Sequence, residues 1–393
     1  MTSNKKYKLA VLAIDGGGIR GIVPAKILAK IEDITGEPIH KLFDLIAGTS
    51  TGGILSLGLV KPNEDGNEAK FSAQYIANLY ENEREKIFKK QDKLNLPAPL
   101  DKLPHNKLVL FKLLQLLRSL PLPFTFNPEE LLGPKFTRSE KINTINTLLG
   151  ETPLNQALTE IIITSYAIEK RKPFLFTSNP YKELKSENFY RICSNYKMYH
   201  AALATSAAPT YFRPYDSDFI SSNIENELFV DGGVIANNPT SIAIIEAIES
   251  YKKQINPEIG LKDILVVSLG TGRATDKYSK ETKEWGLFQW VKPLINMVFN
   301  GQSEIIDYQM EHLLSKEQYY RFQFKCEKRP SQPNTDQKYY VSEAMDDTSE
   351  ENIEELKKAA DKLIKEQSSD LTKLCEVLKA SLETRELRNN RKI

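Results

Sequence analysis

Residues 43–60 read FDLIAGTSTGGILSLGLV, an apolar run interrupted by Gly48-Thr49-Ser50-Thr51-Gly52. The first part has the composition of a buried strand, and the last part can continue as a helix. A G-x-S-x-G pentad between the two predicts a nucleophile elbow, a turn too sharp for side chains beside its serine. Ser50 would then sit at a helix N-terminus, where free backbone N–H groups favour an approaching negative charge. The same pentad also serves as a plain glycine turn. The rest of the chain must therefore supply the other parts of a site.

A second glycine turn precedes it. Residues 8–14 (KLAVLAI) predict a buried strand, followed by Asp15-Gly16-Gly17-Gly18-Ile19-Arg20-Gly21. A helix is expected over about 22–35, because Ile27, Leu28, Ile31 and Ile34 recur at helical spacing and Gly36 can end it. The turn matches G-x-G-x-x-G, which also marks dinucleotide sites. No G-K-[S/T] follows, so a Walker-type phosphate loop is excluded, and Asp44 reads as structural rather than as a ribose-binding acid. The other use of three successive glycines is an oxyanion hole, whose N–H groups meet a developing charge with no side chain in the way. Arg20 would hold this loop, attract an anionic head group, or close the turn from the surface.

A serine nucleophile needs a group to take its proton. Of the histidines, His40 precedes the elbow strand, His105 lies in a proline-rich stretch, His200 begins a small-residue helix and His312 sits in a charged helix. None occupies a glycine-framed loop after a strand, so a Ser-His-Asp triad is poorly supported. Asp231 is better placed: it ends the short apolar run Leu228-Phe229-Val230 and precedes Gly232-Gly233. A free aspartate, with a pKa of about 3.9, is a weak base, and desolvation would strengthen it. The alternative is a turn aspartate capping the next helix.

The remaining chain predicts helices over 71–89, 198–206 and 285–299, and one starting at Asn237-Asn238-Pro239. Strands are expected over 160–168 and 173–177 as a hairpin, then over 264–269 and 320–324. The helix at 285–299 reads as core or interface rather than membrane. Residues 90–127 are rich in proline and leucine and read as an insertion at the rim of the site. The end of the chain, from 349, reads as two charged helices. Lys and Arg number 53 against 52 Asp and Glu, so net charge argues for neither nucleic acid nor a strongly anionic surface. Cys193, Cys326 and Cys375 are far apart and fit a reduced compartment, without a disulfide framework or zinc site. The N-terminal apolar run reads as a strand rather than a signal peptide, and 45–60 is short for a membrane span. A soluble, cytoplasmic protein is expected; export without an N-terminal signal stays open.

DGGGIRG, GTSTGG and DGG, in that order, resemble the patatin-like phospholipase family. ATSAAPTYF, VSLGTG, YYRFQ and EENIEELKKAADKLI match it too, so the resemblance spans residues 8–365. It implies a three-layer α/β/α sandwich with a largely parallel central sheet. One domain would cover 1–393, with an insertion at 90–127 and a helical tail at 349–393. It implies Ser50 as nucleophile, Asp231 as general base, and Gly16, Gly17 and Gly18 as the oxyanion loop. Arg20 would take the family's basic position, supported by Gly21, Gly48, Gly52, Gly232 and Gly233. The implied activity is a phospholipase A-type lipid acyl hydrolase acting on phospholipids or other acyl lipids at a membrane surface, with no metal or cofactor. Two alternatives stand beside it: an effector of the same fold switched on by a small molecule or protein, and a non-catalytic lipid-binding or storage protein. Homo-oligomerisation stays open.

Overall fold

The computed structural model describes residues 6–90, 134–217, 227–254, 256–275, 278, 280–326 and 339–390. Its strands are β1 (Leu9–Ile14), β2 (Leu45–Gly48), β3 (Glu160–Ala167), β4 (Lys172–Thr177), β5 (Leu184–Lys185), β6 (Tyr190–Ile192), β7 (Tyr215–Asp216), β8 (Leu228–Asp231), β9 (Ile264–Leu269), β10 (Arg273–Ala274), β11 (Tyr319–Phe322) and β12 (Lys325–Cys326). The sheet runs β11-β9-β1-β2-β3-β4-β6-β5, with β8 joined to β3 and β7 to β8; β10 and β12 pair separately. Pairings from β11 through β3 are parallel, whereas β3 with β4 and β3 with β8 are antiparallel.

Alternation along each strand divides the apolar side chains between two faces. On β1, Ala10, Leu12 and Ile14 join one core, and Leu9, Val11 and Ala13 the other. The helices are α1 (Ile22–Thr35), α2 (Ile39–Leu42), α3 (Thr51–Val60), α4 (Ala73–Ile87), α5 (Ser139–Leu149), α6 (Met198–Thr205), α7 (Gly233–Ala236), α8 (Thr240–Gln254), α9 (Leu287–Leu313), α10 (Glu350–Glu366) and α11 (Ser368–Asn390). Residues of α1, α3 to α6, α10 and α11 pack in the first core; Ala243, Ala247 and Met310 of α8 and α9 pack in the second. Helices thus cover both faces of the sheet, the three-layer arrangement expected. The two charged C-terminal helices belong to it: Ile353, Leu356, Leu371 and Leu374 are buried in the first core.

α3 has no polar face, so it is stable only where it is covered all round. All of its residues are buried. Its glycines allow close contact with the sheet: a Cβ on Gly52 would lie 2.2 Å from the Ile14 carbonyl oxygen. Backbone on both sides cannot yield. Gly52→Ala is therefore expected to destabilise the protein by roughly 3 kcal/mol or more, as a shift of the urea midpoint.

Two elements differ from expectation. The helix predicted to end near 299 runs on to Leu313, through Gly301, because Ile306 and Met310 continue its buried stripe against the second core. The late strand lies at Tyr319–Phe322, one to two residues earlier than read. The expected insertion at 90–127 falls outside the described residues apart from Lys90, and His105 falls there entirely.

Candidate active site

β2 ends at Gly48 and α3 begins at Thr51, so Thr49 and Ser50 make the whole turn. Ser50 has φ 53° and ψ −120°, a strained backbone of the kind a nucleophile elbow imposes. The strain is held from both sides. Thr49 N–H donates to the Ile14 carbonyl at 3.2 Å, and Ser50 N–H donates to Thr205 Oγ1 at 2.9 Å.

Asp231 reaches the serine because both strands share one edge of β3. β2 runs parallel to its first half, ending with Gly48 opposite Ile163. β8 runs antiparallel along its second half, ending with Asp231 opposite Ser165. The two strand ends therefore meet at Thr164, whose hydroxyl lies 2.7 Å from that of Thr49. Thr205 ties the two ends together, since its carbonyl accepts from Gly232 N–H at 3.2 Å while its hydroxyl accepts from Ser50. The outcome is a direct contact: Ser50 Oγ donates to Asp231 Oδ2 at 2.6 Å.

Asp231 is wholly buried, and Gly233 N–H donates to its other oxygen, Oδ1, at 2.7 Å. Burial pushes its carboxyl up to about 6, against the hydrogen bonds from Ser50 and Gly233 and the charge of Lys141, which pull it down. Lys141, on α5, is 4% exposed. Its Nζ donates to the Ser206 carbonyl at 2.6 Å and sits 3.7 Å from the Phe212 ring centroid. Burial brings its ammonium down to about 7. Sequence reasoning passed over Lys141. The available signal was a lysine on the apolar stripe of SEKINTINTLL, in step with Ile145 and Leu148.

The first glycine turn packs against the elbow. A Cβ on Gly16 would come 3.2 Å from Ser50 Cβ and 2.5 Å from Asn237 Oδ1. Gly16 N–H donates to the Asn237 carbonyl at 3.1 Å, whereas Gly17 and Gly18 N–H have no partner among the described residues. Gly18 has φ 60°, and a Cβ there would lie 2.1 Å from the Met345 carbonyl oxygen, so no other residue fits. Asp15 anchors the turn from below: Arg321 donates to both of its carboxylate oxygens at 3.1 and 2.7 Å. Arg20 is 5% exposed, which sets aside the surface reading. Its Nε donates to the Gly17 carbonyl at 3.3 Å and its Nη1 to Cys326 Sγ at 3.6 Å, so it braces the loop.

Ser50 and Asp231 open into a cleft walled by Ile54, Tyr80, Phe88, Phe212 and Phe299, with Gly18 and Lys141 on its lining. No histidine lines it among the described residues. His200 is buried elsewhere, its Nδ1 accepting from Lys197 N–H at 3.1 Å beside the rings of Tyr196, Tyr199 and Tyr215. Asp44 proves structural, its Oδ2 accepting from Ala10 N–H at 2.7 Å. Among the described residues no helix is long and apolar enough to cross a membrane.

Comparison with known proteins places the chain in a family. The family model described as patatin-like phospholipase matches residues 12–244, which include both glycine turns, the elbow and Asp231. Patatin-like protein 2 of Oryza sativa subsp. indica is 31% identical over 92% of this chain and 85% of its own length. Patatin-like protein 1 of Arabidopsis thaliana is 33% identical over 80% of this chain and 73% of its own. A potato protein named probable inactive patatin-3-Kuras 1 is 30% identical over 80% of this chain and 78% of its own. Among solved structures, VipD from Legionella pneumophila is 13% identical over 91% of this chain and 67% of its own, with a TM-score of 0.30, a likeness too slight to carry any argument. With the matched segment spanning the elbow and Asp231, and plant relatives aligned along most of the chain, this protein belongs to the patatin-like phospholipase family.

Proposed function

We propose that this protein is a lipid acyl hydrolase of phospholipase A type, working through a Ser50–Asp231 dyad. The observation that carries the reading is the 2.6 Å hydrogen bond from Ser50 Oγ to a fully buried carboxylate. Ser50 Oγ attacks the ester carbonyl carbon while its proton passes to Asp231 Oδ2. The carbonyl oxygen gathers charge against the N–H groups of Gly17 and Gly18, with Gly16 closing the base of the loop. The ester C–O bond then breaks, and Asp231 returns the proton to the leaving alkoxide of the lysolipid. Water adds to the acyl-serine by the same steps, releasing fatty acid and restoring Ser50. Donors of this kind supply roughly 2.7–4 kcal/mol each to the transition state. The apolar walls of the cleft suit an acyl chain. The lipid-binding alternative has less support, because serine and aspartate are both present and already bonded.

Fatty-acid release from mixed phospholipid vesicles, followed by mass spectrometry, tests the reading and identifies the cleaved position. A protein that releases no fatty acid and leaves a fluorophosphonate unreacted would overturn it. The base also sets a pH dependence. Asp231 must be ionised to accept the proton, and its carboxyl lies near 6 rather than 3.8. Log kcat/KM for an uncharged ester should therefore be level above this value and fall with unit slope below it. A midpoint near 4 would mean an exposed carboxylate in place of the buried one.

A further inference from the structure

Among the described residues that line the cleft, Lys141 is the cation, and the dyad mechanism leaves it without a task. It is placed at some cost. A buried ammonium needs an anion or a full set of hydrogen bonds, and unpaired it is costly. Of its three N–H donors, the described residues engage one, through the Ser206 carbonyl at 2.6 Å, while the Phe212 ring face supports the charge at 3.7 Å. Among the described residues no carboxylate is in ion-pair contact with it, and Asp231 acts on it only through space. The lysine is held rather than loose, because the backbone of Ser206 adjoins Thr205, which bonds to the Ser50 N–H. Among the described residues, two donors thus remain on a fixed cation that lines the same cleft as the reacting serine.

A glycerophospholipid carries its phosphate only a few bonds from the scissile ester. An ester bound for attack by Ser50 therefore brings an anionic oxygen within reach of the cleft wall. A lysine meets such a group as a point charge and does not demand the planar fork of an arginine. We propose that the Lys141 ammonium binds the phosphate of a glycerophospholipid substrate and so sets a preference for phosphate-bearing over uncharged esters. The proposal rests on the hydrolase reading for its kinetic consequence, while the binding it describes is measurable without turnover. The partly lowered proton affinity of Lys141 fits this role, since an arriving anion would restore its charge.

The test compares kcat/KM for a phosphatidylglycerol and for the diacylglycerol with the same acyl chains, in wild type, Lys141→Met and Lys141→Arg. Their ratio is the readout, because a general loss of folding or of Asp231 function divides out. The ratio is expected to fall by roughly 10- to 100-fold in Lys141→Met, as for a lost charge-assisted hydrogen bond, and to recover in part in Lys141→Arg. An unchanged ratio, or equal losses on both esters, overturns the proposal. Calorimetry on wild type supplies a readout independent of catalysis and of variant folding. Octyl phosphate should bind at least about tenfold more tightly than octanol, and inorganic phosphate should bind more weakly than octyl phosphate, since it lacks the alkyl chain that the apolar cleft walls would hold. Equal binding of octyl phosphate and octanol overturns the proposal, and tight binding of inorganic phosphate alone assigns the site to free phosphate and overturns the lipid assignment. A protein that hydrolyses neither ester yet prefers octyl phosphate through Lys141 would sink the hydrolase reading and leave the phosphate site standing.

Discussion

Ser50→Ala is expected to cut fatty-acid release from phospholipid vesicles by roughly 10⁴- to 10⁶-fold while the protein stays folded. Asp231→Asn should cost at least about 10³-fold, since the amide cannot take the proton. The double variant should be little worse than Ser50→Ala, because the two residues act as one unit and their losses do not add. A Ser50→Ala protein that hydrolyses lipid at the wild-type rate would remove the dyad from the mechanism. Asp231→Asn carries a second expectation, on stability. The carboxyl titrates near 6 in the folded chain and near 3.8 as an isolated group. Folding therefore takes up a proton between these values. Stability contributed by this group falls as pH rises through that window, and at neutral pH its full cost is present. Asp231→Asn should consequently raise the unfolding free energy at pH 7 by roughly 1–3 kcal/mol, and by less at pH 4. An equal gain at both pH values would count against a buried, ionised Asp231.

Arg321→Met is expected to cost roughly 3–5 kcal/mol of stability, the largest effect foreseen outside the dyad. The guanidinium is nearly enclosed, with Asp15 on one side at 2.7 and 3.1 Å and Asp307 on the other at 3.1 Å. It also donates to Ser268 Oγ at 2.9 Å. Methionine would fill much of the volume but leave Asp15 buried without its cation. Burial already pushes the Asp15 carboxyl up to about 6 with the arginine in place. Without it the carboxyl would be protonated at neutral pH, and the turn that carries Gly16 to Gly18 would lose its anchor. Pairing Arg321→Met with Asp15→Asn should recover part of the loss, and urea unfolding of the four proteins measures the coupling. Strict additivity would show that the ion pair has no energetic role.

Much of the site is legible in the residues themselves. Gly16, Gly17, Gly18, Gly48 and Gly52 mark their turns because sharp backbone and close approach leave glycine little competition. Asp231 stands out from the histidines because a carboxylate at a strand end before two glycines is a recognisable local pattern. The unbroken apolar run of β1 and the uncharged, mostly apolar α3 likewise announce their own burial. The hairpin of β3 and β4 follows from two apolar runs joined by a short charged turn. Local pattern misjudges the length of α9, since Gly301 resembles a stop until the core beyond it is known to take Ile306 and Met310.

Other features have no local signature. Nothing in LFVD says that β8 will run against the free half of β3, yet that pairing alone brings Asp231 to Ser50 across 181 positions. Thr205, Arg321 and Lys141 are ordinary residues of ordinary elements until the fold sets each beside a partner far along the chain. The raised proton affinity of Asp231 is of the same kind, because desolvation depends on what surrounds the group and not on its neighbours in sequence. Turn geometry and burial are short-range properties that individual residues specify. Distances between charges, and the dielectric around them, exist only once the layers have closed.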